Sequence, residues 1–172
     1  RLQDTIAAVS ADPSLGMFKF RATNERIDCG YNRSTIKDFY GAGQEDQSRT
    51  IPFEMYNDEP DVLLGTDNAA NPVEYVLHAL AGCLTTTLVY HAAARGIEVE
   101  SVSSTYEGEL DLRGFLVLDP DVPRGYRHIT VSFHIKGNFN EEQKRQLIEL
   151  AQQYSPVFDI ITRPVIVQVN LA

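Results

Sequence analysis

Residues 71–90 read NPVEYVLHALAGCLTTTLVY, and the way this stretch folds decides the rest of the fold. It is nearly apolar enough for a membrane helix, yet it carries Glu74, His78, Thr85, Thr86, Thr87 and, near its middle, Cys83. Asn71 suits an N-cap, and Pro72 suits the first helical position, where its missing N–H would be unpaired anyway; Glu74 stands three residues after Asn71, as in a capping box. Gly96, directly after Arg95, marks the stop. The pattern predicts one helix over residues 71–95, about 35 Å long and apolar on nearly every side from Tyr75 to Tyr90. Such a helix must be enclosed by protein or lipid. Lipid is the poorer host, because His78, the three threonines and His91 would lie in or near hydrocarbon, and Arg95 is the only basic anchor nearby.

Upstream, residues 17–56 look strand-like: Phe18, Phe20 and Ala22 alternate with Lys19 and Arg21, and Gly30, Gly41 and Gly43 punctuate the run. Two or three strands are expected there. Residues 57–70, NDEPDVLLGTDNAA, read as a loop. At the start, Leu2, Ile6 and Val9 share one face of a short amphipathic helix within residues 1–14 that ends before Pro13. That segment lacks the apolar core of a signal peptide.

Downstream of Gly96 the period changes to two. Val102, Tyr106 and Leu110 alternate with Ser103, Thr105 and Glu107, and Ile129, Val131, Phe133 and Ile135 alternate with Thr130, Ser132 and His134. These are two half-buried strands joined by the excursion LVLDPDVPRGY. Asn140 and Gln143 then frame a helix over residues 140–154, with Leu147, Ile148, Ala151 and Tyr154 as its apolar stripe and Pro156 as its end. Val165, Val167, Val169 and Leu171 alternate in a last predicted strand. Strands in runs with few helices define an α+β chain, expected as one domain over residues 1–172. One domain of this size cannot easily cover a helix apolar all round, so a homodimer is expected to complete its burial.

Charge and cysteine content narrow the function. With 24 acidic against 15 basic residues, the net charge of −9 repels nucleic-acid phosphates and anionic headgroups, so neither nucleic acid nor membrane is expected as a partner. Cys29 and Cys83 are too few for a disulfide framework, and the chain reads as cytoplasmic. There is no pair of cysteines or histidines at zinc spacing; His128 and His134 lie about 20 Å apart along one strand. No metal or cofactor site is expected.

Cys83 has two readings. A free cysteine commonly serves as a small buried hydrophobe. As a nucleophile it would have to be a thiolate, and it lies about three turns into its helix, too far for the dipole to help, with no Lys or Arg from residue 70 to 93. A stabilising cation would have to come from Arg21, Arg26, Arg33 or Arg49 in the strand region. His78, about 140° around the helix from Cys83, cannot pair with it directly.

The run NPVEYVLHALAGC, followed by GYRHITVSFHIKG, a helix and SPVFDIITRPVIVQV, resembles the OsmC/Ohr family, the osmotically induced protein C and organic hydroperoxide resistance proteins. The resemblance covers residues 17–172 in order of elements. It implies antiparallel sheets around a long buried central helix in an intertwined homodimer. It also implies a thiol peroxidase in which Cys83 attacks the peroxide bond; in the hydroperoxide reductase branch an acid directly after the helix-starting Pro orients an active-site Arg, an arrangement for which Glu74 and Arg26 or Arg33 are the candidates here but which does not carry over directly. Two positions depart from the family pattern. Ser155, in Tyr154-Ser155-Pro156-Val157, stands where a resolving cysteine is expected, and Val73 fills the acidic slot, with Glu74 one residue later and about 100° round the helix. Cys29 is the one other thiol that could resolve. The resemblance therefore implies a one-cysteine reduction of organic hydroperoxides completed by an external thiol reductant. The alternative is a binding protein on the same dimeric fold that holds a small or lipid-like apolar ligand.

Overall fold

The structure, a computed structural model, describes residues 2–171. The chain divides into two compact units, Arg1–Pro72 and Val73–Ala172.

The first unit opens with α1 (Leu2–Ala11) and a 3₁₀ turn, Pro13–Gly16, capped by the Asp12 carboxylate. Five short strands follow: β1 (Thr23–Asp28), β2 (Tyr31–Ile36), β3 (Phe39–Gly41), β4 (Gln44–Asp46) and β5 (Phe53–Asn57). The sequence reading expects two or three. The difference lies in β3 and β4, which at three residues each are too short to show an alternating pattern. β1, β2 and β5 form an antiparallel sheet in that order, and β3 pairs with β4. The β1–β2 turn runs through Cys29, an exposed residue at φ 42°. After β5, the buried Asp58 carboxylate organises the acidic loop by accepting from the backbone N–H groups of Glu59, Thr66 and Asn68 and from the Thr66 hydroxyl.

The second unit is built on α2 (Pro72–Ala94). Its end is a glycine stop: Gly96 takes φ 69°, its N–H reaches Ala93 O at 3.1 Å, and the Ile97 N–H reaches Ala92 O at 3.0 Å. β6 (Val99–Leu110) and β7 (Tyr126–Gly137) form an antiparallel pair with Val102 opposite Ile135, Tyr106 opposite Val131 and Gly108 opposite Ile129. Their connection holds the single turn α3 (Leu112–Phe115) and exposes Phe115, Leu116, Val117 and Leu118. α4 (Glu141–Tyr154) starts on a closed capping box between Asn140 and Gln143. A further helix, α5 (Pro156–Thr162), follows with Ser155 as its N-cap.

The core of this unit joins Leu80, Leu84, Leu88 and Ala92 of α2 to Ile135 of β7 and to Leu147 and Ala151 of α4. Positions 80, 84, 88 and 92 are successive i+4 steps, so α2 buries one stripe. It is not enclosed on every side: Val76, Val89 and Tyr90 stay exposed. By length and composition α2 alone among the described helices could cross a membrane, yet its buried stripe packs on protein.

The predicted last strand is also corrected. Residues 163–171 form no helix or strand, and Ile166, Val167, Val169 and Leu171 are 75% or more exposed. The alternating pattern is present, but within the described chain these residues pair with no strand.

Candidate functional site

Cys83 lies on α2 between the core residues Leu80 and Leu84, half-buried, one turn beyond Leu80. The α4–α5 corner packs against its sulfur. Ser155 is 1% exposed, and its hydroxyl donates to Cys83 Sγ at 3.0 Å while accepting from the Phe158 N–H at 3.2 Å. The Val157 N–H points at the same sulfur at 3.5 Å. The corner forms because Ser155 ends one helix and begins the next: its own N–H bonds to Ala151 O, its carbonyl accepts from Asp159 N–H, and Pro156 occupies the first position of α5.

Along the preceding turns of α2 runs a largely apolar groove of about 550 Å³, walled by Val76 and Leu80 of α2, by Tyr126 and Arg127 of β7, and by Phe158 and Ile161 of α5. Cys83 is one helical turn from this wall rather than on it. At the groove's upstream end the Tyr126 hydroxyl donates to Val73 O at 2.9 Å, tying β7 to the start of α2. Burial, and secondarily the charge of Glu74, raises the Tyr126 hydroxyl above its ordinary pKa. Opposite the Tyr126 ring, Gly108 leaves the space the ring fills.

Of the residues the sequence singles out, the structure brings Cys83 and Ser155 together. Glu74 it places elsewhere: nine residues before Cys83 on the same helix, it is about 14 Å away along the axis and on the opposite face, near Tyr126. The arginines stand in the first unit. Arg33, on β2, forms ion pairs with Glu25 and Glu54, and the Glu25 hydrogen bond foremost raises its pKa. Arg21 makes a two-pronged pair with Glu45, 2.8 Å on each prong. Arg49 donates to Lys37 O and lies over the rings of Phe39 and Phe53. Arg26 is exposed on β1. Among the described residues no cluster of His, Cys, Asp and Glu could hold a metal ion.

The sequence reading missed Val157, whose contribution is a backbone amide and leaves no mark in residue type. It also missed the groove, whose walls come from three separated segments.

This arrangement defines a helix-borne thiol met by two neutral hydrogen-bond donors beside an apolar groove. A family profile described as "OsmC-like protein" matches residues 65–170. The chain belongs to the OsmC-like family. No curated protein matches it in sequence. Solved structures share its fold. An OsmC-like protein from Mycoplasma pneumoniae superposes with a TM-score of 0.65 at 18% identity, covering 85% of this chain and 89% of that one. An organic hydroperoxide resistance protein OsmC from Legionella pneumophila gives 0.61 at 18% identity, covering 84% and 90%. An organic hydroperoxide resistance protein from Elizabethkingia anophelis, with crystallant-derived thiocyanate bound, gives 0.57 at 19% identity, covering 86% and 90%.

Proposed function

We propose that the protein reduces organic hydroperoxides through Cys83 alone, with an external thiol as reductant. The observation that carries this reading is the half-buried Cys83 sulfur, met by the Ser155 hydroxyl and the Val157 amide beside an apolar groove, in a chain of the OsmC-like family. The thiolate attacks the distal peroxide oxygen, the O–O bond breaks, and the alkoxide takes a proton and leaves as an alcohol. Sulfur is thereby oxidised by two electrons to a sulfenic acid. Ser155 has no thiol with which to close a disulfide, so a thiol from solution attacks the sulfenic sulfur and water leaves. A second thiol then cleaves the mixed disulfide and returns Cys83 to its starting state.

The proposal includes a homodimer in the cytoplasm. The homodimer is supported by the exposed Val76, Val89 and Tyr90 on α2 and by the exposed Ile166, Val167, Val169 and Leu171, apolar side chains that one chain alone leaves uncovered. Both cysteines are free thiols.

The test is steady-state turnover of an alkyl hydroperoxide with a dithiol. Cys83→Ser is expected to lose turnover and Cys29→Ser to keep it. Equal turnover by wild type and Cys83→Ser removes the proposal.

A further inference from the structure

We infer that Ser155 is a positioning residue for the Cys83 sulfur, its hydroxyl holding that atom first as thiolate and then as sulfenate. The inference rests on the reading of Cys83 as a nucleophile given above.

The geometry fixes the direction of the hydroxyl. Ser155 is 1% exposed, so its side chain has little access to bulk water. Its oxygen already accepts the Phe158 N–H at 3.2 Å, and its only hydrogen is directed at Cys83 Sγ, 3.0 Å away. An N-cap requires only the first of these contacts, and Asp or Asn would serve that purpose as well as Ser. The second contact demands a donor: an ionised Asp at this position would accept only, and would repel a thiolate. Capping α5 while donating to sulfur calls for a small group that both donates and accepts, which a hydroxyl does.

The Val157 N–H is a second donor on the same sulfur, at 3.5 Å. It is one of the first amides of α5 and has no intrahelical carbonyl to bond. Two fixed donors favour the anionic form of the atom they face, because a hydrogen bond to an anion is stronger than one to its neutral form. They do so without a cation, which suits a helix segment free of Lys and Arg from residue 70 to 93. The hydroxyl transfers no proton and forms no bond to sulfur.

The test is the pH profile of alkylation of the Cys83-containing peptide in folded protein, measured by mass spectrometry. Ser155→Ala is expected to slow alkylation near neutral pH several-fold relative to wild type. Ser155→Thr, which keeps a hydroxyl, is expected to bring it back toward wild type. A merely structural role would lower the melting temperature and leave the profile in place, and an unmoved profile in folded Ser155→Ala overturns the inference. Should Ser155→Ala fail to fold, Ser155→Cys decides: mild peroxide is expected to join residues 83 and 155 in a disulfide with loss of two hydrogens, and its absence overturns the contact. Oxidation of wild-type Cys83 by hydroperoxide separates the two readings. If it does not occur, the proposed function fails; if it occurs but Ser155→Ala leaves the profile unmoved, only the positioning role fails.

Discussion

Replacing Gly108 by alanine should unseat Tyr126 and loosen the start of α2. A methyl group at 108 would sit 2.4 Å from Cε1, 2.7 Å from Cδ1 and 2.8 Å from Cζ of the Tyr126 ring. Ordinary contact begins near 3.4 Å, so the ring must retreat by about 1 Å. It cannot do so freely, because its hydroxyl is bonded to Val73 O at 2.9 Å. Overpacking costs about 1–3 kcal/mol and the hydrogen bond about 0.5–1.5 kcal/mol. Removing a glycine from a strand returns about 0.5–1 kcal/mol. The net loss for Gly108→Ala is about 2 kcal/mol, or about 4–8 °C in melting temperature for a chain of this length. Tyr126→Phe should cost about 1 kcal/mol, the hydrogen bond alone. The two losses share that bond, so the double variant should fall short of their sum. Thermal melts of the four proteins, with urea titrations to check the slope, measure these quantities. A Gly108→Ala protein as stable as wild type, or strictly additive losses, would refute the reasoning.

Two further outcomes concern acid and assembly. The Asp58 carboxylate is held below its usual pKa, chiefly by the Asn68 N–H, and Asp111 is lowered to about 2, chiefly by its hydrogen bond with Arg113. Both groups have folded-state values depressed below the unfolded ones, so their stabilisation is present above about pH 4 and is lost as pH falls through the folded-state values, about 2 for Asp111. Acid titration followed by hydrogen exchange should show residues 58–68 opening earlier in Asp58→Asn than in wild type; identical profiles would dismiss Asp58 as the organiser of that loop. Deleting residues 164–172 is expected to weaken the proposed dimer, and light scattering after size exclusion measures it. A truncated chain with the same mass distribution as wild type would mean that the exposed segment takes no part in assembly.

The features legible in the sequence are those that short-range chemistry dictates. Asn140 and Gln143 form a capping box because two side chains three residues apart satisfy each other's backbone amides, whatever the rest of the chain does. Gly96 stops α2 because only a residue tolerant of positive φ closes that turn cheaply. The alternation in β6 and β7 gives the inward face directly, whereas the link between Cys83 and Ser155 is legible only through the family resemblance. What escaped the sequence reading depends on partners. Ser155-Pro156 reads as the end of α4, yet the same two residues are an N-cap and a first helical position, so a second helix begins where one stops. Residues 165–171 carry a strand pattern, but a pattern of side chains does not supply the neighbouring edge that makes a strand.

The tight turn between β1 and β2 has a practical consequence. Cys29 is exposed at its tip with φ 42°, a conformation that an ordinary side chain adopts at some cost and that asparagine tolerates better. Any reagent chosen to count or label thiols will therefore meet Cys29 first, and its signal will mask that of the half-covered Cys83. Changing Cys29 to Asn would ease the turn and leave a single-thiol protein, in which a fluorophore, a spin label or a mass increment reports on Cys83 alone.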